Sequence, residues 1–139
     1  MTAGLEHTWV AHYAEGVPAE IDPPVTSLVD LLTGAVAAYG PRPALEFFGA
    51  ELTYAELGRR VELGAEGLRR LGVRAGDRVA LVLPNCPEHI AAFYAVLRLG
   101  AVVVEHNPLY TESELRHQLA DCGAKVAVVL DRVYEAVAK

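Results

Sequence analysis

Residues 78–104 read RVALVLPNCPEHIAAFYAVLRLGAVVV: a continuous aliphatic run, a helix-length apolar stretch, then a second continuous run. Val79 to Leu83 and Ala101 to Val104 do not alternate apolar with polar residues, so each is expected to be a strand covered on both faces. Between them Pro87 suits a first-turn helical position, where its missing N–H leaves no bond unmade, with Asn85 or Cys86 as cap. The predicted helix runs from Pro87 to Leu99 and stops at Gly100. Ile90 to Leu97 are apolar nearly all round, which predicts that this is the most buried helix.

The same unit recurs downstream. Thr111 and Glu114 form a capping box, in which hydroxyl and carboxylate each satisfy an orphan amide. Leu115, Leu119 and Cys122 then fall at i, i+4 and i+7, Gly123 ends the helix, and Val126 to Leu130 supply a third aliphatic run. Strands separated by helices define an α/β fold with a doubly wound parallel sheet and flanking helices. Strand order is not readable from one sequence.

Upstream, Thr53 and Glu56 open another capping box, with a helix to Leu71 and Gly72 as its C-cap. Tyr54, Leu57, Val61, Ala65, Leu68 and Leu71 form its apolar stripe. Gly58, Gly64 and Gly67 inside it each cost about 1 kcal/mol relative to Ala, which implies close packing against a neighbour. Ala44 to Phe48 and Glu51 to Leu52 flank Gly49-Ala50, a hairpin with Gly at the first loop position. Ser27 and Asp30 open an earlier helix, which presents Leu28, Leu31, Leu32, Ala35, Val36 and Tyr39 and is stopped by Gly40 and Pro41. Pro18, Pro23 and Pro24 make residues 1–25 an extended N-terminal arm, leaving 26–139 as the α/β part.

With 139 residues, 53% hydrophobic and 22% charged, the chain has enough apolar surface for one globular core and is too apolar for a disordered segment. A net charge of −6 argues against a nucleic acid or polybasic membrane partner. Two cysteines, Cys86 and Cys122, match neither a disulfide framework nor a zinc spacing, so the default compartment is the cytosol. Met1 to Val10 lacks the apolar core of an export signal. The longest charge-free stretch, Leu31 to Pro41, is 11 residues against the ~20 that a bilayer needs, so no transmembrane segment is expected.

In open parallel sheets ligands sit beyond the carboxyl ends of the strands, which directs attention to two loops, residues 84–89 and 105–111. Cys86 with His89 could be a thiolate pair; the plainer reading is a small buried thiol and a solvated first-turn histidine. Glu105 beside His106 could do acid and base work, although adjacent strand residues point to opposite faces; the plainer reading is a loop entry in which Asn107-Pro108 sets up a turn. His7, His12 and His117 show no metal-ligand pattern. Arg69, Arg70, Arg74 and Arg78, interleaved with Glu62, Glu66 and Asp77, read as a solvated face. The phosphate-loop, dinucleotide, nucleophile-elbow and zinc-helix motifs are all missing. No catalytic, cofactor-binding or metal-binding residue is assigned.

A family resemblance joins these pieces. Trp9-x-x-x-Tyr13, Val17-Pro18-x-Glu20-Ile21-Asp22 and Ser27-Leu28-Val29-Asp30 resemble the opening of bacterial long-chain fatty-acid CoA ligases, members of the AMP-forming adenylating enzymes. Leu52-Thr53-Tyr54-x-x-Leu57, Gly76-Asp77-Arg78-Val79-Ala80, Leu83-Pro84-Asn85 and Leu97-x-x-Gly100-Ala101-Val102-Val103 follow in that family's order. Asn107-Pro108-Leu109-Tyr110-Thr111-x-x-Glu114-Leu115-x-x-Gln118-Leu119 completes the match. Glu105-His106 departs from it, since relatives tend to carry small or neutral residues there.

The resemblance implies ATP, Mg and CoA as the parent enzyme's cofactors and a fatty acid as its substrate, in a cytoplasmic protein that meets the membrane peripherally through its lipid. It also implies that the phosphate loop, the nucleotide contacts and the C-terminal lid lie beyond Lys139. The chain is therefore expected to be an incomplete subdomain, inactive alone and binding none of these cofactors. The alternatives are a stand-alone ligand-binding module using the crevice near Glu105 to Tyr110, or an oligomerisation module, because an unfinished sheet would drive self-association.

Overall fold

The computed structural model describes residues 8–138. Its regular elements are α1 (Leu28–Tyr39), β1 (Pro43–Phe47), β2 (Ala50–Thr53), α2 (Tyr54–Arg70), β3 (Arg78–Val82), α3 (Pro87–Arg98), β4 (Val102–Glu105), α4 (Glu112–Cys122), β5 (Val126–Val129) and α5 (Tyr134–Val137). The part of the arm that is described is not uniformly extended: Thr8–His12 forms a 3-10 helix. Ile21 and Val25 of the arm are exposed.

β1 and β2 form an antiparallel hairpin with Leu45 opposite Leu52 and Phe47 opposite Ala50. Its turn falls one residue earlier than expected, on Phe48-Gly49, where φ is 50° and 81°. Two successive positive φ values match the right-handed strand twist, and the Gly49 N–H donates to Glu46 Oε1 at 2.7 Å, so Gly takes the second turn position and Phe48 the first. Ser27, Thr53 and Thr111 each cap their helix in a complete capping box.

The parallel sheet has the order β4-β3-β5. Ala80 pairs with Val104 on one side and with Ala127 on the other. One connection leaves β3 toward β4 and the next returns across β3 to β5, so right-handed crossovers put α3 and α4 on opposite faces. Val79, Ala80, Leu81 and Val82 have no exposed surface. The pleat sends Val79 and Leu81 into a core with Ala65, Leu68, Ala95 and Val96, and Ala80 and Val82 toward the other face.

One expectation is corrected. Coverage on both faces holds for β3 only: Val102 of β4 is 47% exposed and Ala127 of β5 is exposed, because among the described residues each of these strands has one neighbour and stands at a sheet edge. α2 fully buries Leu57, Val61, Ala65 and Leu68 but exposes its charged face, whereas α3 fully buries Ala95 and Val96 and exposes only Glu88, Ile90 and Arg98, in keeping with its nearly all-round apolar sequence. In α1, Leu32, Ala35 and Val36 are half-buried, while Leu28, Leu31 and Tyr39 stay exposed.

The α2 glycines resolve individually. A Cβ on Gly58 would lie 3.2 Å from Val36 Cγ2, and one on Gly64 would lie 3.1 Å from Ala95 Cβ, so these two let α1 and α3 approach. Gly67 faces open space, and close packing does not account for it. The charged face is paired and solvated: Glu66 accepts from Arg69 and Arg70, and those hydrogen bonds, Arg69's first, lower its pKa to about 2. Arg98 reaches Glu62 at 2.6 Å and Lys125 reaches Asp77 at 2.7 Å.

Gly67→Ala should therefore stabilise the chain by about 0.5–1 kcal/mol through helix propensity. Gly64→Leu should cost about 1–3 kcal/mol by overpacking against Ala95. Urea denaturation with an unchanged slope measures both, and a stabilised Gly64→Leu would contradict the packing at that contact.

Candidate functional site: a cleft at the strand ends

The carboxyl ends of β3 and β4 open on a cleft of about 700 Å³ lined by residues 83–85, His89 and residues 105–109. Its floor is set by the sheet: the His106 N–H donates to Leu81 O at 2.9 Å and extends the β3–β4 pairing one residue beyond β4. Asn107 shapes the wall. Its Oδ1 accepts from the Leu109 N–H at 2.9 Å and its carbonyl accepts from the Tyr110 N–H at 3.1 Å, as the Asn-Pro pair implies. The loop then locks onto α4, where the Thr111 N–H donates to Glu114 Oε2 at 2.8 Å. That N–H, followed by the Thr111 hydroxyl, holds the Glu114 carboxyl below its ordinary value of 4.5.

Glu105 and His106 do not meet. Glu105 turns to the α3 face, where His89 Nε2 lies 2.9 Å from Glu105 Oε1; His106 turns to the α4 face, where its Nδ1 lies 2.8 Å from Gln118 Oε1. The alternation of strand side chains carries through the end of β4 and separates them. His89 Nδ1 lies 3.2 Å from Pro84 O. Pro84 O and Glu105 Oε1 face the two ring nitrogens, which seats His89 between the loop after β3 and the end of β4.

The proposed Cys86–His89 pair is likewise absent, because both ring nitrogens of His89 are engaged elsewhere. Cys86 is the α3 N-cap but makes no side-chain cap bond. It lines a separate apolar hollow of about 250 Å³ with Leu45, Phe47 and Ile90. The expectation of a solvated His89 also fails, since 20% of its side chain is exposed and Glu105 holds it. His12 and His117 are exposed, and His7 lies outside the described residues. Among the described residues no group of three His, Cys, Asp or Glu could hold a metal, and no helix is long and apolar enough to cross a membrane.

Sequence reasoning missed the contact of His106 with Gln118 and with Cys122, whose Sγ lies 3.9 Å from His106 Nε2. Gln118 and Cys122 at i, i+4 share a helix face, but nothing local marks His106, 12 residues upstream of Gln118, as their partner.

The cleft lining contains no Lys or Arg and does contain a carboxylate, Glu105. Polyphosphate needs cations and converging N–H donors, so these residues do not fit a nucleotide triphosphate. Another hollow, about 360 Å³, lies among Leu32, Val36, Gly58 and Tyr94, between helices and away from the strand ends.

This geometry matches a known family. Residues 32–139 match the AMP-binding enzyme family, and the chain belongs to it. It is 38% identical over 126 residues to a long-chain-fatty-acid–CoA ligase of Bacillus subtilis, covering 91% of this chain and 22% of that protein. A long-chain-fatty-acid–CoA ligase of Yersinia pestis is 43% identical over 128 residues, covering 91% and 23%. Among solved structures, a putative long-chain-fatty-acid CoA ligase from Rhodopseudomonas palustris superimposes with TM-score 0.76 at 33% identity, covering 81% of this chain and 29% of that one. The anthranilate CoA ligase AuaEII, in complex with anthranoyl-AMP, gives TM-score 0.78 at 26% identity, covering 84% and 23%. The chain thus spans less than a quarter of the length of those two curated relatives.

Thr111→Ala should cost about 1 kcal/mol by uncapping α4. A carboxyl lowered in the folded state contributes stability that is full above its unfolded value and is lost as pH falls through its folded one. The stability gap between the parent chain and Thr111→Ala should therefore narrow as pH drops below 4.5, the ordinary value of Glu114. Thermal melts across that range measure it, and a gap that widens on acidification would contradict the cap.

Proposed function

We propose that this chain is the opening scaffold of the adenylation domain of an AMP-forming fatty-acid CoA ligase. In such a ligase a fatty carboxylate attacks the α-phosphate of Mg-ATP, pyrophosphate leaves, and the CoA thiol then displaces AMP to give the thioester. The observation that carries the reading is the identity to long-chain-fatty-acid–CoA ligases, sustained over 91% of the chain. Activation is chemically necessary, since a carboxylate's own charge repels an attacking thiolate. The charge that moves in that step calls for cations and N–H donors. The cleft supplies neither Lys nor Arg, and the sequence holds two lysines, Lys125 and Lys139, the first of which is paired with Asp77.

The reading assigns these residues to support: the sheet and the His89–Glu105 bond fix the position of loops that the rest of a ligase would use. It places the protein in the cytoplasm, meeting membranes peripherally through its lipid substrate. Incubated with ATP, a long-chain fatty acid and labelled pyrophosphate, this chain should give no exchange, whereas the Bacillus subtilis relative assayed alongside should. A chimera of that relative carrying residues 8–138 in place of its matching segment should retain exchange. Exchange by the chain alone, or a folded but inactive chimera, would overturn the assignment.

A second observation supports an associated property. β4 and β5 are open edges among the described residues, and Val102 of β4 is 47% exposed. Such edges pair with other chains, so the isolated chain should self-associate. Light scattering at working concentration should give a mass above 14.9 kDa, and a monomeric mass would contradict this.

A further inference from the structure

On α4, Leu115, Gln118 and Cys122 recur at i, i+3 and i+7 and share the face turned to the sheet, where Leu115 is fully buried. Opposite them stands His106, 6% exposed. Its Nδ1 lies 2.8 Å from Gln118 Oε1 and its Nε2 lies 3.9 Å from Cys122 Sγ. With the Gln118 amide assigned oxygen toward the ring, Nδ1 carries the proton and Nε2 turns a lone pair to the thiol. Thiol, base and orienting amide stand in series, the arrangement that activates a sulfur nucleophile. Leu119 O also lies 3.5 Å from Cys122 Sγ, but a carbonyl cannot retain the thiol proton and an imidazole can. Cys122 is half-buried, within reach of a small reagent. Cys86 is similarly accessible, but its neighbouring imidazole, His89, is engaged by Glu105 and Pro84. The chain thus carries its own control.

We propose that Cys122 is a modification site for low-molecular-weight disulfides, with His106 as its base and Gln118 as the positioning residue for His106. The Cys122 thiol passes its proton to His106 Nε2, and the thiolate attacks one sulfur of the disulfide. The S–S bond of the reagent breaks as the mixed disulfide forms. The departing thiolate recovers the proton from His106, so one disulfide and one thiol become one mixed disulfide and one thiol. The incoming group wedges between α4 and His106, whose ring anchors the start of the loop lining the cleft, so modification loosens that loop.

The test uses the full chain and glutathione disulfide near neutral pH, with each cysteine followed by peptide mass spectrometry. Cys122 should be modified about tenfold faster than Cys86, the scale on which thiolate activation by a base operates. Gln118→Leu and His106→Asn should each slow Cys122 by about that factor without changing Cys86, and Gln118→Glu, which keeps an acceptor for Nδ1, should restore the rate. If His106→Asn fails to fold by circular dichroism, the two Gln118 variants decide the matter. Equal rates at Cys86 and Cys122, or an unchanged Cys122 rate in folded Gln118→Leu, would overturn the proposal.

Discussion

The fold rests on the burial of β3. Four of its five residues, Val79 to Val82, have no exposed surface, and its backbone is paired to a parallel strand on each side. Burying a Val or Leu side chain stabilises by about 1.5–3 kcal/mol, and a buried amide left unpaired costs a comparable amount, so this strand is stable only with both neighbours and both faces supplied. α2 and α3 supply one face through Ala65, Leu68, Ala95 and Val96. Gly64 lets those two helices approach. The crossover rule then sends α4 to the other face, and the placement of every cleft residue follows from that division.

The division also accounts for the chemistry at the strand ends. Because consecutive residues leave β4 on opposite sides, Glu105 serves α3 and His106 serves α4. Each polar side chain is taken up in holding a helix to the sheet. The result is a braced cleft with an acidic rim, suited to carrying loops in place and unsuited to holding a polyphosphate.

Much of this architecture was legible in the residues. Two Thr-x-x-Glu capping boxes, the helix start at Ser27, the Gly and Pro stops and the three aliphatic runs gave the elements and the parallel α/β class, because these signals are local. The family was legible from the order of short segments. Other features depended on partners distant in sequence. Val126 to Val129 and Val79 to Val82 look alike as strings, yet one is an edge and the other a centre, and only strand order separates them. The hairpin turn shifted to Phe48-Gly49 because cross-strand register, with Phe47 opposite Ala50, outweighs the usual dislike of a bulky residue for positive φ. The His89–Glu105 and His106–Gln118 contacts join residues 16 and 12 apart, and no spacing rule reaches that far.

Native-state hydrogen exchange, followed amide by amide by NMR, tests the central role of β3 most directly. The amides of Ala80 to Val82 should exchange last, and only through global unfolding, while those of the β1–β2 hairpin and the Asn107 to Thr111 loop should exchange through cheaper local openings. Hairpin amides that outlast those of β3 would contradict the account.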